Sequence, residues 1–419
     1  MREMKDSGVE WIGEVPAGWD MLRLVQLAAP VKHKNVGLAE QNLLSLSYGN
    51  IVRKSIEKAS GLVPASYEGY NIIERDDVVL RFTDLQNDKK SLRTGLARER
   101  GLITSAYLTV RPDSRTVVPE FFHFVLHSVD VCKVFYNMGD GMRQTLDWRG
   151  VNRMLLPVPP LSEQRAIAGF LDGRCAAIDA DIAKRREVIA KLGEYRKSVI
   201  AKAVTKGLDP DAEMKDSGVG WIGEVPAGWD VVRGKYAYGL LSRGVRDGDD
   251  VITCFRDGEV TLRTNRRDEG FTFADKEIGY QGINPGDLVV HGMDGFAGSI
   301  GISDSRGKAS PVLRVLDSAQ NKRYLMYLLR TYAYLGVYLS IADGIRVRSC
   351  NLSWNKLAEL PVLLPPLSEQ RAIAGFLDGR CAAIDEAVSR QERIIDRLQE
   401  YRKSLIHHAV TGKIDCREA

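Results

Sequence analysis

The chain has 419 residues, too many for one ordinary hydrophobic core, and its 44% apolar and 27% charged content is globular rather than disordered. No stretch approaches the roughly 18 unbroken apolar residues of a membrane helix, and the N-terminal MREMKDSGVEW has no apolar heart, so neither a span nor a signal peptide is expected. A net charge of +4 permits nucleic-acid contact without demanding it, and six cysteines with no CxxC pair suit reduced thiols in a cytoplasmic protein.

The sequence repeats itself. The phrase MKDSGVEWIGEVPAGWD (Met4–Asp20) returns at Met214–Asp230 with one change, Glu10 against Gly220. The phrase PPLSEQRAIAGFLDGRCAAID (Pro159–Asp179) returns unaltered at Pro365–Asp385. The first pair lies 210 positions apart and the second 206, so the second intervening text is four residues shorter. Such a period is far too long for a solenoid and marks a duplicated module. Cores accept swaps of similar volume, so packing alone does not demand identical letters.

Between the frames, residues 21–158 and 231–364 differ in letters and agree in pattern. LLSLSYGNIVRKS (Leu43–Ser55) and VITCFRDGEVTLRTN (Val251–Asn265) alternate around turns at Gly49-Asn50 and Asp257-Gly258, which predicts β-hairpins with a basic second strand. YNIIERDDVVLR (Tyr70–Arg81) matches YQGINPGDLVVH (Tyr280–His291): a turn, an aspartate and a buried strand. PEFFHFVLHS and KRYLMYLLRT then read as helices, followed by GMRQTLDW and GIRVRSCNLSW. Each variable region is expected to be a mixed α/β globule of one topology.

The text after each proline pair is helical. Leu171, Cys175, Ile178, Ile182, Ile189, Leu192, Val199 and Ala203 fall on a seam of alternating steps of four and three with arginines at two of its positions, and the heptad design is repeated at Leu377, Cys381, Ile384, Val388, Ile395, Leu398, Leu405 and Ala409. Ser162 is the expected N-cap, with Glu163 and Gln164 in the first turn. Each helix would run about 45 residues, or roughly 65 Å. So long an apolar seam must be buried, and the chain supplies its own second seam.

No catalytic constellation emerges. Pro159-Pro160 and Pro365-Pro366 lack the flanking residues of an amino-methyltransferase motif, GISDSRGKA (Gly301–Ala309) fails the phosphate-loop spacing, and GFAGSIG (Gly295–Gly301) fails the dinucleotide pattern. His123 and His127 have helical i, i+4 spacing but lie in a phenylalanine-rich helix without the glutamate of a zinc-protease motif, so no metal is expected. Binding chemistry is present instead. LRFTDLQNDKKSLRTG (Leu80–Gly95) and TLRTNRRDEG (Thr261–Gly270) interleave Arg, Lys, Asn, Gln and Thr, the residues that meet phosphates and base edges. With the hairpins and the pre-helical segments, the DNA-contact candidates are Tyr48, Asn50, Arg53, Lys54, Arg81, Thr83, Gln86, Asn87, Lys89, Lys90, Arg93, Arg143 and Gln144 in the first half. In the second they are Arg256, Arg263, Asn265, Arg266, Arg267, Arg346 and Arg348.

The PPLSEQRAIAGFLD frame, the WIGEVPAGWD phrase and RFTDLQNDKKSLRTG together resemble the specificity subunit of type I restriction–modification systems, over essentially the whole chain. The resemblance implies an α+β fold in which two mixed α/β target recognition domains are separated by two long helices forming an antiparallel coiled coil, with an internal pseudo-twofold repeat. The implied divisions are recognition domain 1 (1–158), spacer helix 1 (159–206), linker and recognition domain 2 (207–364), and spacer helix 2 with the tail (365–419).

Each domain would read half of a split duplex DNA target, and the frames would dock two methyltransferase subunits, through which restriction and translocase subunits join. Partner-contact candidates are Glu163, Gln164, Arg165, Tyr195, Arg196, Glu369, Gln370, Arg371, Tyr401 and Arg402. The chain itself would be non-catalytic and cofactor-free, with S-adenosylmethionine, ATP and magnesium on its partners. A stand-alone DNA-binding regulator or an assembly scaffold remain open alternatives. The first would bind a site tightly without partners, and the second would not need two divergent polar loop sets.

Overall fold

The computed structural model describes residues 2–54, 66–85, 88, 91–138, 146–266, 277–341 and 351–417. The chain is α+β and divides into two compact units. One comprises Met1–Arg185 with Glu392–Ala419, the other Arg186–Gln391. The divisions between units fall inside the two long helices, Leu161–Lys206 (46 residues) and Leu367–Val410 (44 residues), so each helix gives its start to one unit and its end to the other.

Every sheet occurs twice. The first unit has a four-stranded antiparallel sheet in the order Ala28–Val31, Leu108–Pro112, Val78–Leu80, Thr94–Leu96. The second has Gly239–Leu240, Leu313–Asp317, Leu288–His291, Ile300–Ile302 in the same order. A thirteen-residue helix follows each, Pro119–Val131 and Lys322–Tyr334.

The hairpins form as expected, Leu44–Ser47 with Asn50–Arg53 and Ile252–Cys254 with Val260–Leu262. The first turn sits one residue earlier than its sequence suggests. Ser47 pairs Asn50 across Tyr48 and Gly49, both at positive φ (48° and 80°), so the tyrosine takes the left-handed place expected for asparagine.

Of the predicted seam, Leu171, Cys175, Ile178 and Ile182 are buried in the first unit beside Ile395, Leu405 and Ala409, as are Leu377, Cys381, Ile384 and Ala203 in the second. Ile189, Leu192, Val199, Val388 and Leu398 are half-buried. The helices pair antiparallel within each unit, and the same contact closes both pairings. Arg402 meets Asp179 at 3.4 Å in the first unit, and Arg196 meets Asp385 at 2.5 Å in the second.

Each long helix starts on a buried lock. The Pro160 carbonyl accepts from the Glu163 and Gln164 amides, so Pro160 opens the helix and Ser162 lies exposed inside its first turn rather than capping it. Buried Trp19 donates its indole N–H to Glu163 at 3.2 Å, and Glu163 also pairs with Arg2. The Gln164 carbonyl oxygen accepts from the Val118 amide (2.7 Å) at the head of Pro119–Val131, while its amide donates to the carbonyls of Pro159 (2.8 Å) and Thr116 (3.1 Å).

The second copy repeats this. Trp229 donates to Glu369 at 3.1 Å, and Gln370 accepts from the Asn321 amide (3.0 Å) while donating to the Pro365 carbonyl (2.8 Å). The opposite helix ends against the same tryptophan. Gly207 turns at φ 76° beside Trp229, and Gly412 turns at φ 75° where a Cβ would collide with Pro16.

Glu163, Gln164 and Gln370 are thus interior residues, which corrects their assignment as partner contacts: at 0–8% exposure no other chain can reach them, while the half-buried Glu369 is engaged with Trp229. Truncating either glutamine strands a buried carbonyl and a helix-head amide. Gln164→Ala and Gln370→Ala should each cost about 1–3 kcal/mol in denaturant unfolding of the chain, and by similar amounts. A change below about 0.5 kcal/mol, the scatter of ordinary surface substitutions, would show the lock to be ornamental.

Candidate nucleic-acid interface

In the first unit, the hairpin and the segment after Leu80 come together. Tyr48 stands 86% exposed at the turn tip, with Asn50, Arg53 and Lys54 exposed beside it. A Cβ on Gly49 would lie 3.1 Å from Leu92, so this turn rests directly on the segment that carries Arg81 and Thr83, both partly exposed. In the second unit, Arg256, Arg263, Asn265 and Arg266 cluster on the hairpin and the short turn Arg263–Asn265 that follows it. Gln86, Asn87, Lys89, Lys90, Arg143, Gln144, Arg267, Arg346 and Arg348 lie outside the described residues.

Arg53, Arg81, Arg256 and Arg266 are held by carboxylates. Arg53 donates to Glu99 at 2.7 Å, which raises the guanidinium's pKa and lowers that of the carboxyl through the hydrogen bond they share. Arg81 pairs with Asp88 (3.4 Å) and Arg256 with Asp294 (3.0 Å). Arg266 meets both Asp257 (2.7 Å) and Glu259 (3.1 Å) while lying over the Phe255 ring at 4.3 Å. Asn265 donates to the Thr261 hydroxyl at 2.8 Å. The surface is therefore less bare in charge than the sequence implies. Exposed ion pairs are worth only about 0–1 kcal/mol, so each guanidinium is oriented yet cheaply exchanged for a phosphate or a base edge.

Arg93 is the correction on this surface. It is fully buried, with its guanidinium bonded to main-chain carbonyls, and so it cannot touch DNA. Chain spacing could not reveal this, because a buried arginine and a solvated one look alike in a polar stretch.

Among the partner candidates, Arg196 and Arg402 are committed to the helix pairing described above, whereas Arg165, Arg371, Tyr195 (52%) and Tyr401 (56%) face outward. Sequence reasoning missed a further exposed pair. Arg174 lies over the Phe170 ring at 5.6 Å and Arg380 over Phe376 at 5.5 Å, the same arrangement in both frames. Letter-for-letter repetition at positions that packing does not fix was the signal for it.

Among the described residues, no three His, Cys, Asp or Glu side chains gather as metal ligands, and no helix is long and apolar enough to cross a membrane. The five described cysteines form no disulfide.

No family model matches the chain. It is 21% identical to the putative type I restriction enzyme MjaX specificity subunit of Methanocaldococcus jannaschii, across 96% of this chain and 95% of that one. It is 24% identical to the StySPI specificity subunit of Salmonella potsdam across 62% and 57%, and 33% identical to the EcoBI specificity subunit of Escherichia coli across 32% and 27%. A solved chain from work on complex assembly and conformational transition of the type I R-M system superposes with a TM-score of 0.64 at 16% identity, over 96% of this chain and 99% of its own. The chain is a homologue of type I restriction enzyme specificity subunits along nearly its whole length, with a fold found in a solved type I restriction–modification system.

Proposed function

We propose that this chain is the sequence-reading subunit of a cytoplasmic type I restriction–modification complex, each unit reading one half of a bipartite duplex DNA target. The observation that carries this reading is the contrast between frame and content. The Trp–Glu and Gln locks are the same in both units, while the hairpins and the turn after the second present Tyr48, Asn50 and Arg53 in one and Arg256, Asn265 and Arg266 in the other. A scaffold would need the locks but not two different polar surfaces. A stand-alone regulator would need the surfaces but not an outward face repeated on both helices.

That repeated face is Phe170 with Arg174 and, in the second copy, Phe376 with Arg380. It suits two copies of one partner, the methyltransferase subunit, through which restriction and translocase subunits would join. S-adenosylmethionine, ATP and magnesium belong to those partners in this reading, and the chain itself is non-catalytic.

Methylation assays decide it. The purified chain with S-adenosylmethionine should transfer no methyl group. Cells that co-express it with its methyltransferase should carry methylation at one split motif. Methyl transfer by the chain alone, or a methylome unaltered by its deletion, would refute the reading.

The carboxylates around Arg266 supply a finer test. Asp257→Asn with Glu259→Gln releases that guanidinium, so non-specific DNA binding should tighten and the slope of log affinity against log salt should steepen by about one phosphate's worth, ~0.9. An unchanged slope would mean that Arg266 never approaches the backbone.

A further inference from the structure

The first unit contains a buried arginine, and among the described residues of the second no arginine is buried. Arg93 is 0% exposed, and all five of its N–H donors are engaged. Nε donates to the Tyr136 hydroxyl (2.9 Å), Nη1 to the carbonyls of Arg81 (3.2 Å) and Thr83 (2.9 Å), and Nη2 to those of Asp84 (3.1 Å) and Asp88. Its backbone N–H donates to the Asp130 carboxylate at 2.7 Å, and burial pushes that carboxyl up to about 6. Asp84 takes a left-handed φ of 58° to aim its carbonyl inward. Phe82 is buried edge-on to Phe135 at 4.8 Å.

The main chain after Leu80 is therefore wrapped around one guanidinium, with its carbonyls inward and the side chains of Arg81 and Thr83 partly exposed. Leu92, next to Arg93, supports the turn that carries Tyr48. In the second unit the corresponding turn is shaped differently, by His291 Nδ1 accepting from the amides of Met293 (3.2 Å) and Asp294 (3.0 Å).

We propose that Arg93 is the positioning residue of the first recognition surface. It sets the course of the segment around Arg81–Leu85 and Asp88 and, through Leu92, the hairpin tip. Specificity at one half of the target then depends on a side chain that never meets DNA. The proposal rests on the reading of this surface as DNA-facing. Lysine cannot substitute, because three donors radiating from one nitrogen cannot span four carbonyls that a planar five-donor fork reaches.

The test uses the full chain assembled with its methyltransferase, and duplexes carrying single-base changes in either half of the motif found for that complex. Arg93→Lys should speed hydrogen exchange at the Arg81–Leu85 amides and lower discrimination about ten-fold or more at one half only. The half read by the second unit should be unaffected, which general destabilisation would not spare. Tyr136→Phe removes one of the five acceptors and serves if the lysine variant does not fold, with a smaller loss confined to the same half.

Equal losses at both halves, or none at either, would overturn the proposal. Arg81→Ala with Thr83→Ala, on intact Arg93, separates the premise from the proposal. If that pair lowers discrimination at one half while Arg93→Lys loosens the segment without doing so, Arg93 does not position the reader. If that pair changes nothing at either half, the surface does not face DNA and the premise fails with the proposal.

Discussion

The rest of the structure depends on the first turn of each long helix. There a glutamine holds the head of a neighbouring helix and the proline loop together, and a glutamate receives a buried indole N–H. A buried amide tolerates few replacements, since any residue lacking both a donor and an acceptor at that reach leaves carbonyls and amides unpaired. This accounts physically for much of the identity between the two frames. Trp19 and Glu163 lie 144 positions apart in sequence, Trp229 and Glu369 140, yet each pair meets at nearly the same distance. The opposite helix also ends on that tryptophan, so one residue gathers an opening phrase, a helix start and a helix end.

With the lock fixed, the intervening residues are free to diverge as long as strand order is kept. Both four-stranded sheets carry a buried aspartate at the same turn. Asp77 accepts from the Glu74 amide and pairs with Arg111 at 2.7 Å, and Asp287 accepts from the Asn284 amide and pairs with Arg243 at 2.5 Å. The arginines come from different strands and segments, so the same need is met by different residues. The loops beyond the sheets differ further still, one built round Arg93 and the other round His291. Equal topology with unequal internal supports is what lets two surfaces of one ancestry present different side chains.

Much of this was legible in the sequence because periodicity reports burial. The heptad steps found the seam residues, and alternation around Gly49 and Gly258 found both hairpins. What periodicity does not report is which polar residues go inside. Glu163, Gln164 and Arg93 sit in polar text and read as contacts, whereas their partners are main-chain groups and an indole contributed by distant segments. Ser162 looked like a cap because serine often is one, but the Pro160 carbonyl already opens the helix two residues earlier. Tyr48 was not expected in a left-handed turn, since that conformation costs a tyrosine more than an asparagine. The carboxylates facing Arg256 and Arg266 were visible as letters but not as neighbours.

In the proposed function, identical locks carry interchangeable readers. It is tested most directly by replacing residues 231–364 with a second copy of residues 21–158 and sequencing the methylome of cells that express this chain with its methyltransferase. The expected result is a folded chain whose methylated motif carries the first half-site twice, because the Trp229–Glu369 and Gln370 lock then meets the same groups that its counterpart meets in the first unit. A folded, active chain that still methylates the original two-part motif would contradict it.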